Sequence, residues 1–393
     1  MLPYYSTDLS NTFSISAAEA ALVDSARQSW QQVHHVLTSL PTLGTFPDDL
    51  SGLVTYHYCA YEAYGRPPAE AMRVCHLFDE LVTQLREKQL EGLAWSAAQL
   101  TQACTVAWIS PHLIVSRLSG SPAWLPELDE TIYLEALRLR KQTDVCSRRH
   151  LVQVLRYLRL RLPATQHHLK ALAFTGHLFP SQGNWSMGLD EGLAGELLGL
   201  IQTHELGLQD MTILERVRGG IRHLLSLRRQ TDYLDQVYSI FPYEVALPTG
   251  EPAFSPELSW RRGDLGQSLL LYRAHDLLGD QELIKIGELV GLNTMLRTSV
   301  AATGVSTAYF HQGAAGIAYL YLKLYHISGL NSYYKHHQFW LAQMQHWLPS
   351  VLPPSYAAPQ TPSDGFLHGL AGIGLVLLTS TSSLKLDWDA LIL

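Results

Sequence analysis

Charged side chains are scarce in this chain: they make up 16% of its 393 residues, against 47% that are hydrophobic, and the mean hydropathy is +0.02. That balance excludes an intrinsically disordered chain and allows a large buried core. The net charge is −7, and the basic residues are scattered, with only short clusters such as Arg138 to Lys141 and Arg148 with Arg149. No basic face is left for a phosphate backbone, so no nucleic-acid partner is expected. Cysteine is nearly absent. The four present, Cys59, Cys75, Cys104 and Cys146, include no C-x-x-C pair, which excludes a zinc ribbon and a disulfide framework and reads as reduced core thiols. No apolar run approaches the roughly 20 residues of a membrane span. The start, MLPYYSTDLSNTFSIS, lacks the basic and apolar regions of a signal peptide, so a soluble, cytoplasmic protein is expected. Strand-like alternation is rare as well, and apolar residues recur at spacings of three and four, which predicts an all-α fold.

What is present is a repeat. The stretch Thr307 to Tyr325, TAYFHQGAAGIAYLYLKLY, opens with a polar turn bearing Gly313 and Gly316 and continues as an apolar helix. The same Gly-x-x-Gly construction returns as EGLAGELLGLI from Glu191, RGDLGQSLLLY from Arg262 and HGLAGIGLVLL from His368. EGLAWSAAQL from Glu91 reads as a decayed copy with Trp95 at the second glycine, and RHLVQVLRYLRLRL from Arg149 as an inner helix that has lost its glycines. With the helix that begins at Gly52 and closes at Gly65, the openings fall near Gly52, Gly92, Val152, Gly192, Gly263, Gly313 and Gly369. Each gap holds an inner helix, a loop and an outer helix. The closed form of such an array is an α/α toroid of seven inner and seven outer helices, spanning residues 1–393 as a single domain. Glycine suits the crowded starts of inner helices because it has no Cβ and tolerates positive φ.

Between the openings, outer helices are predicted from Ala17 to Leu37 with Ser16 as cap and Pro41 as stop, from about Ala69 to Lys88, from Pro163 to about Leu178, from Met211 to Leu227, from Gln281 to Ser299 and from Ser332 to Leu348. Pro111 to Leu137 reads as loops and short helices. Phe241 to Glu257 reads as an irregular site wall or lid, and PPSYAAPQTPSDG as a loop before the last copy.

The phrases NWSMGLDEGLAGELL from Asn184, SWRRGDLGQSLLLYRAHDLLGD from Ser259, FHQGAAGIAYLY from Phe310 and GFLHGLAGIGLVLL from Gly365, in this order and repeat count, resemble the lanthionine cyclases, the C-type lanthipeptide synthetases. The resemblance implies an α/α toroid that binds zinc and adds a peptide cysteine thiol to a dehydroalanine or dehydrobutyrine made by a partner dehydratase. Such chemistry needs the thiol deprotonated near neutral pH and the resulting enolate protonated by a positioned acid. In the family a W-C-x-G cysteine and a C-H-G triplet hold the metal, and a histidine in G-L-x-H-G is the acid or base. Aligned on the glycines, those positions carry Arg261, the triplet His311, Gln312, Gly313, and Glu191. Arginine cannot ligate zinc and glutamine is a poor ligand, so the expectation is a chain without the family zinc and without another cofactor.

Glu191, Arg261 and His311 are then the candidate catalytic residues, with Glu191 or His311 as proton donor and Arg261 and Arg262 as stabilisers of negative charge; the alternative is a structural ion pair in a site without activity. Trp185, Trp260, Arg262, Tyr309, Gln312 and His368 are candidate peptide-binding residues, and the aromatic ones serve equally as core filling. Three functions follow. The first is a non-catalytic partner of a precursor peptide with dehydrated Ser or Thr, or of its dehydratase. The second is a metal-independent cyclase. The third, more distant, is a carbohydrate-active toroid using Glu191 with Asp190 or Asp264.

Overall fold

The computed structural model describes residues 17–39, 50–92, 94–142, 144–172, 180–190, 192–352 and 366–393. The expected cap Ser16, the stop Pro41, the helix continuation toward Leu178, the loop at 353–365 and Glu191 lie outside the described residues. Helices dominate: α1 (Ala17–Ser39), α2 (Leu50–Ala63), α3 (Pro68–Glu91), α4 (Ala97–Val115), α5 (Leu125–Leu139), α6 (Val145–Leu160) and α7 (Gln166–Leu172) form the first half. The short strand β1 (Gly183–Ser186) precedes α8 (Leu193–Glu205) and α9 (Met211–Ser226). Strands β2 (Glu244–Leu247) and β3 (Glu251–Ala253) then lead to α10 (Asp264–Leu278), α11 (Gln281–Thr294), α12 (Val300–Thr303), α13 (Ala314–Ser328), α14 (Asn331–Val351) and α15 (Leu370–Thr381).

Burial separates the helices into two layers. Helix α13 is buried on all sides from Ala314 to Leu322, and α15 from Leu370 to Leu378. By contrast α9 buries only Ile213, Val217, Gly220, Ile221 and Leu224, a single stripe at helical spacing. Helices α2, α4, α6, α8, α10, α13 and α15 touch in that order, and α15 returns to α2, so the inner ring is closed. The outer helices cover it, with α1 packed on α15 so that the chain's first described helix completes the last pair. The expected all-α toroid is the observed fold.

Three local readings are corrected. Gly92 does not open an inner helix; it ends α3 in the left-handed conformation, with φ 63°. The next inner helix, α4, starts five residues later from Ser96, whose side chain and that of Gln99 form a reciprocal capping box. Nor does Pro111 break the chain into loops, because it sits near the C-terminal end of α4, where the buried Ile109 and Leu113 hold the helix in place. The stretch expected to be irregular contains a hairpin: β2 pairs antiparallel with β3 and with β1, with Trp185 opposite Val245. Its anchor is the fully buried Asp264, whose carboxylate accepts the N–H groups of Ile240 and Phe241 and pairs with Arg297 at 2.7 Å.

The glycine pairs have a steric cause. A Cβ on Gly195 would lie 2.0 Å from the carbonyl oxygen of Leu189, one on Gly316 would lie 2.0 Å from that of Phe310, and one on Gly372 would lie 2.0 Å from that of Phe366. In each case the carbonyl comes from the turn six residues earlier, so the second glycine is the seat on which its own turn rests. Gly316→Ala is therefore expected to lower stability by roughly 1–3 kcal/mol through forced displacement of backbone. Gly120, with nothing within 4 Å, is the control. Gly120→Ala should stay within about 0.5 kcal/mol of the parent in urea denaturation; equal effects of the two would refute the seat.

Candidate functional site

The four turns before α8, α10, α13 and α15 are stitched to one another through the main chain. The N–H of Leu189 donates to the carbonyl of Arg261 at 2.9 Å, that of Arg261 to His311 at 3.3 Å, and that of His311 to Leu367 at 2.9 Å. Three of the turns also rest on their glycine, and equivalent residues recur at one register: the residue five before the second glycine is Asp190, Arg261, His311 and Leu367 in turn. The first three meet. The His311 Nε2 lies 2.9 Å from Asp190 Oδ2, and the Arg261 Nε lies 3.8 Å from the same oxygen. The ring of His368 sits edge-on to His311, 4.3 Å between centroids.

The electrostatics of the cluster follow from one anion among cations. Burial pushes the Asp190 carboxyl up, but the hydrogen bond from His311 and the charges of His311, Arg156 and Arg261 outweigh it and hold the group below its ordinary value. The His368 imidazole is lowered by partial burial and by the charges of His311 and Arg261, with Asp190 opposing. With Nε2 committed to the carboxylate, His311 donates from that nitrogen, and its Nδ1 is a buried atom with no hydrogen-bond partner among the described residues. An oriented imidazole with an unshared nitrogen can take or give a proton, and an adjacent guanidinium can stabilise an anion.

Of the residues singled out from sequence, Arg261 and His311 are brought together, and the acid that joins them is Asp190. Glu191 lies outside the described residues. Asp190 is detectable in the sequence by the register just described, since the glycine-anchored turn places it level with Arg261 and His311. Gln312 and His368 are exposed at the same mouth, Tyr309 is half-buried, and the Arg262 guanidinium lies 5.2 Å from the ring centroid of Tyr243. Trp185 and Trp260 are 3% and 1% exposed, so their rings fill core and offer no face to a peptide. Trp185 stacks on His223, and Trp260 lies against Phe310. Asp264, one of the carboxylates considered for sugar chemistry, is fully buried against Arg297 and flanks no groove.

Zinc does not fit the residues present. A guanidinium stands at one ligand position and an exposed amide at another, and the single imidazole has its Nε2 engaged by a carboxylate. Among the described residues no group of three or more His, Cys, Asp or Glu side chains is placed to hold a metal ion.

Comparison with known proteins bears on the fold and the lineage. The family model described as lanthionine synthetase C-like protein matches residues 133–393. The solved structure of nisin cyclase superposes with a TM-score of 0.66 at 14% sequence identity, covering 95% of this chain and 97% of that one. No curated protein matches the chain in sequence. Residues 17–132, outside the matched span, supply α1 to α4 and most of the first part of the ring. No helix among the described residues is long and apolar enough to cross a membrane.

Asp190→Asn tests the cluster. Removing the charge that holds His311 and Arg261 is expected to cost roughly 1.5–3 kcal/mol at pH 7, the range for a hydrogen bond to a charged group. The sign with pH is fixed by the lowered carboxyl: its stabilisation is complete above the unfolded value of about 3.9 and is lost as pH falls through the folded value. The gap between parent and variant should thus narrow as pH falls below about 3.9 and close only below the lowered folded value. A gap in denaturation midpoint that stays constant from pH 7 to pH 3 would show that Asp190 acts by packing alone.

Proposed function

Because the chain belongs to the lanthionine synthetase C-like family, we propose that it serves the maturation of a ribosomally made peptide without zinc, as a binding partner for the dehydrated precursor or for its dehydratase. The carrying observation is the Asp190 carboxylate shared by His311 and Arg261. Groups that would otherwise ligate metal or move protons are engaged with one another, which favours a fixed binding surface over a reactive centre. Exposed Gln312 and His368, with Arg262 over Tyr243, give that surface hydrogen-bonding and cationic contacts for a peptide main chain and its unmodified polar side chains.

A second reading, a metal-independent cyclase, is favoured by the unpartnered Nδ1 of His311. In it the thiol proton passes to that nitrogen, the sulfur bonds to the β-carbon of the dehydro residue, and the same proton returns to the α-carbon. Asp190 orients the ring and Arg261 faces the enolate oxygen. Proximity of thiol and alkene alone supplies several kcal/mol of such a barrier.

Both readings are tested in one experiment with a dehydrated, cysteine-containing precursor peptide. Its binding is followed by fluorescence anisotropy, and its free thiol by alkylation and mass spectrometry, since ring closure leaves the mass unchanged. Saturable binding with thiol loss at the rate found in buffer is the result expected for the partner. Accelerated thiol loss that falls at least about tenfold in His311→Ala would establish the cyclase in its place. Absence of both binding and acceleration would overturn the peptide assignment.

A further inference from the structure

At the end of the ring remote from the four turns, the last turns of α13 and α15 and the segment that follows α15 enclose a pocket of about 490 Å³. Its lining is partly apolar: Tyr319 and Leu322, both buried, with Leu384 and Leu386. Its polar lining includes Lys323, His326, Lys385, Ser382 and Ser383.

The balance of charge decides what such a pocket can hold. Asp389 is the one carboxylate among the described residues that line it, and Lys323 is ion-paired to it. Lys385 is exposed and has no ion-pair partner among the described residues, so it is the cation left over. The half-buried His326 imidazole is lowered by burial and then by both Lys323 and Lys385, against Asp389. The two ammonium groups therefore act on one point and outweigh the single acid there. Donors are also available. Ser382 Oγ accepts the N–H of Leu384 at 3.0 Å, which leaves its own proton to give, whereas Thr379 and Ser380 donate back to carbonyls of α15.

We propose that this pocket binds an acidic side chain of a peptide, with the carboxylate held by Lys385, Ser382 and Ser383 and the stem laid against Leu322, Leu384 and Tyr334. A small inorganic anion would use the polar groups and leave the apolar ones uncovered. An aspartate or glutamate flanked by an apolar residue matches both. The assignment uses no residue of the opposite mouth and stands apart from the function proposed for it.

The test uses the full chain and fluorescently labelled acetyl-Leu-Glu-Leu-Glu amide, with the Leu-Gln-Leu-Gln peptide as its uncharged counterpart and inorganic phosphate as competitor. The Glu peptide should bind saturably, and the Gln peptide at least about tenfold more weakly, the effect of losing one charge-assisted contact. Lys385→Glu should weaken Glu-peptide binding to a similar extent and Lys385→Arg should retain it; Lys385 is exposed, and unchanged thermal melting confirms that both variants are folded. Equal binding of the two peptides, no binding of either, or indifference to Lys385→Glu would overturn the proposal. Displacement of the Glu peptide by equimolar phosphate would also overturn it, reassigning the pocket to small anions.

Discussion

The structure depends on a contact that only glycine permits: a turn carbonyl resting on the α-carbon of the residue six positions later. At Gly195, Gly316 and Gly372 the space for a Cβ is already filled by that oxygen. The contact does two things at once. It presses the turn onto the first turn of its inner helix, and so fixes where the neighbouring turn can donate its N–H. Three turns anchored in this way, with the Arg261 turn between them, form a main-chain ladder across one mouth of the toroid, from Leu189 through Arg261 and His311 to Leu367. Side chains at that register have no choice of neighbour. Asp190 and His311 are placed by two copies of one steric device, and the main-chain bonds from Leu189 to Arg261 and from Arg261 to His311 hold Arg261 between them.

Much of this was legible in the chain, and the failures have identifiable causes. The intact glycine pairs at 192, 263, 313 and 369 mark inner helices because steric exclusion leaves no substitute for glycine there. Gly92 misleads because glycine also ends helices in the left-handed region, a role independent of close packing, while α4 and α6 begin from ordinary caps at Ser96 and Asp144. The hairpin was hidden for a different reason. Its strands are three or four residues long, too short for alternation to show, and the third strand, β1, joins β2 across some sixty residues. Aligning on the family's histidine points to Glu191, whereas the register shared by Arg261 and His311 points one residue earlier, to Asp190.

Charge explains why the mouth differs from a metal centre. A metal site gathers anionic or neutral donors around a cation supplied from outside. Here the cations, Arg261 and Arg156, belong to the chain, and the anion Asp190 sits among them with the imidazole of His311 hydrogen-bonded to it. Such an arrangement is complete without an added ion, and introducing one would place positive charge beside guanidinium. The buried pair of Asp264 and Arg297 shows the same principle in a purely architectural role, where the acid's remaining capacity is used to hold the Ile240 and Phe241 amides and with them the hairpin that borders the mouth.

Among the described residues, the C-terminal segment packs against the inner helices. Trp388 is fully buried against Phe310, Tyr319 and Phe366, and the Arg156 and Arg159 guanidiniums donate to the carbonyls of Ile392, Ala390 and Leu393. A peptide engaged at both the Asp190 mouth and the lysine pocket must span the length of the inner helices. Helix α13 has 15 residues, a rise of about 22 Å at 1.5 Å per residue. An extended chain covers about 3.3–3.6 Å per residue, so at least about seven residues must separate the two engaged positions, and more where the path bends around the outer layer. A shorter peptide can occupy one end or the other but not both, so the separation between an acidic anchor and the modified residues decides whether the two ends act together on one chain.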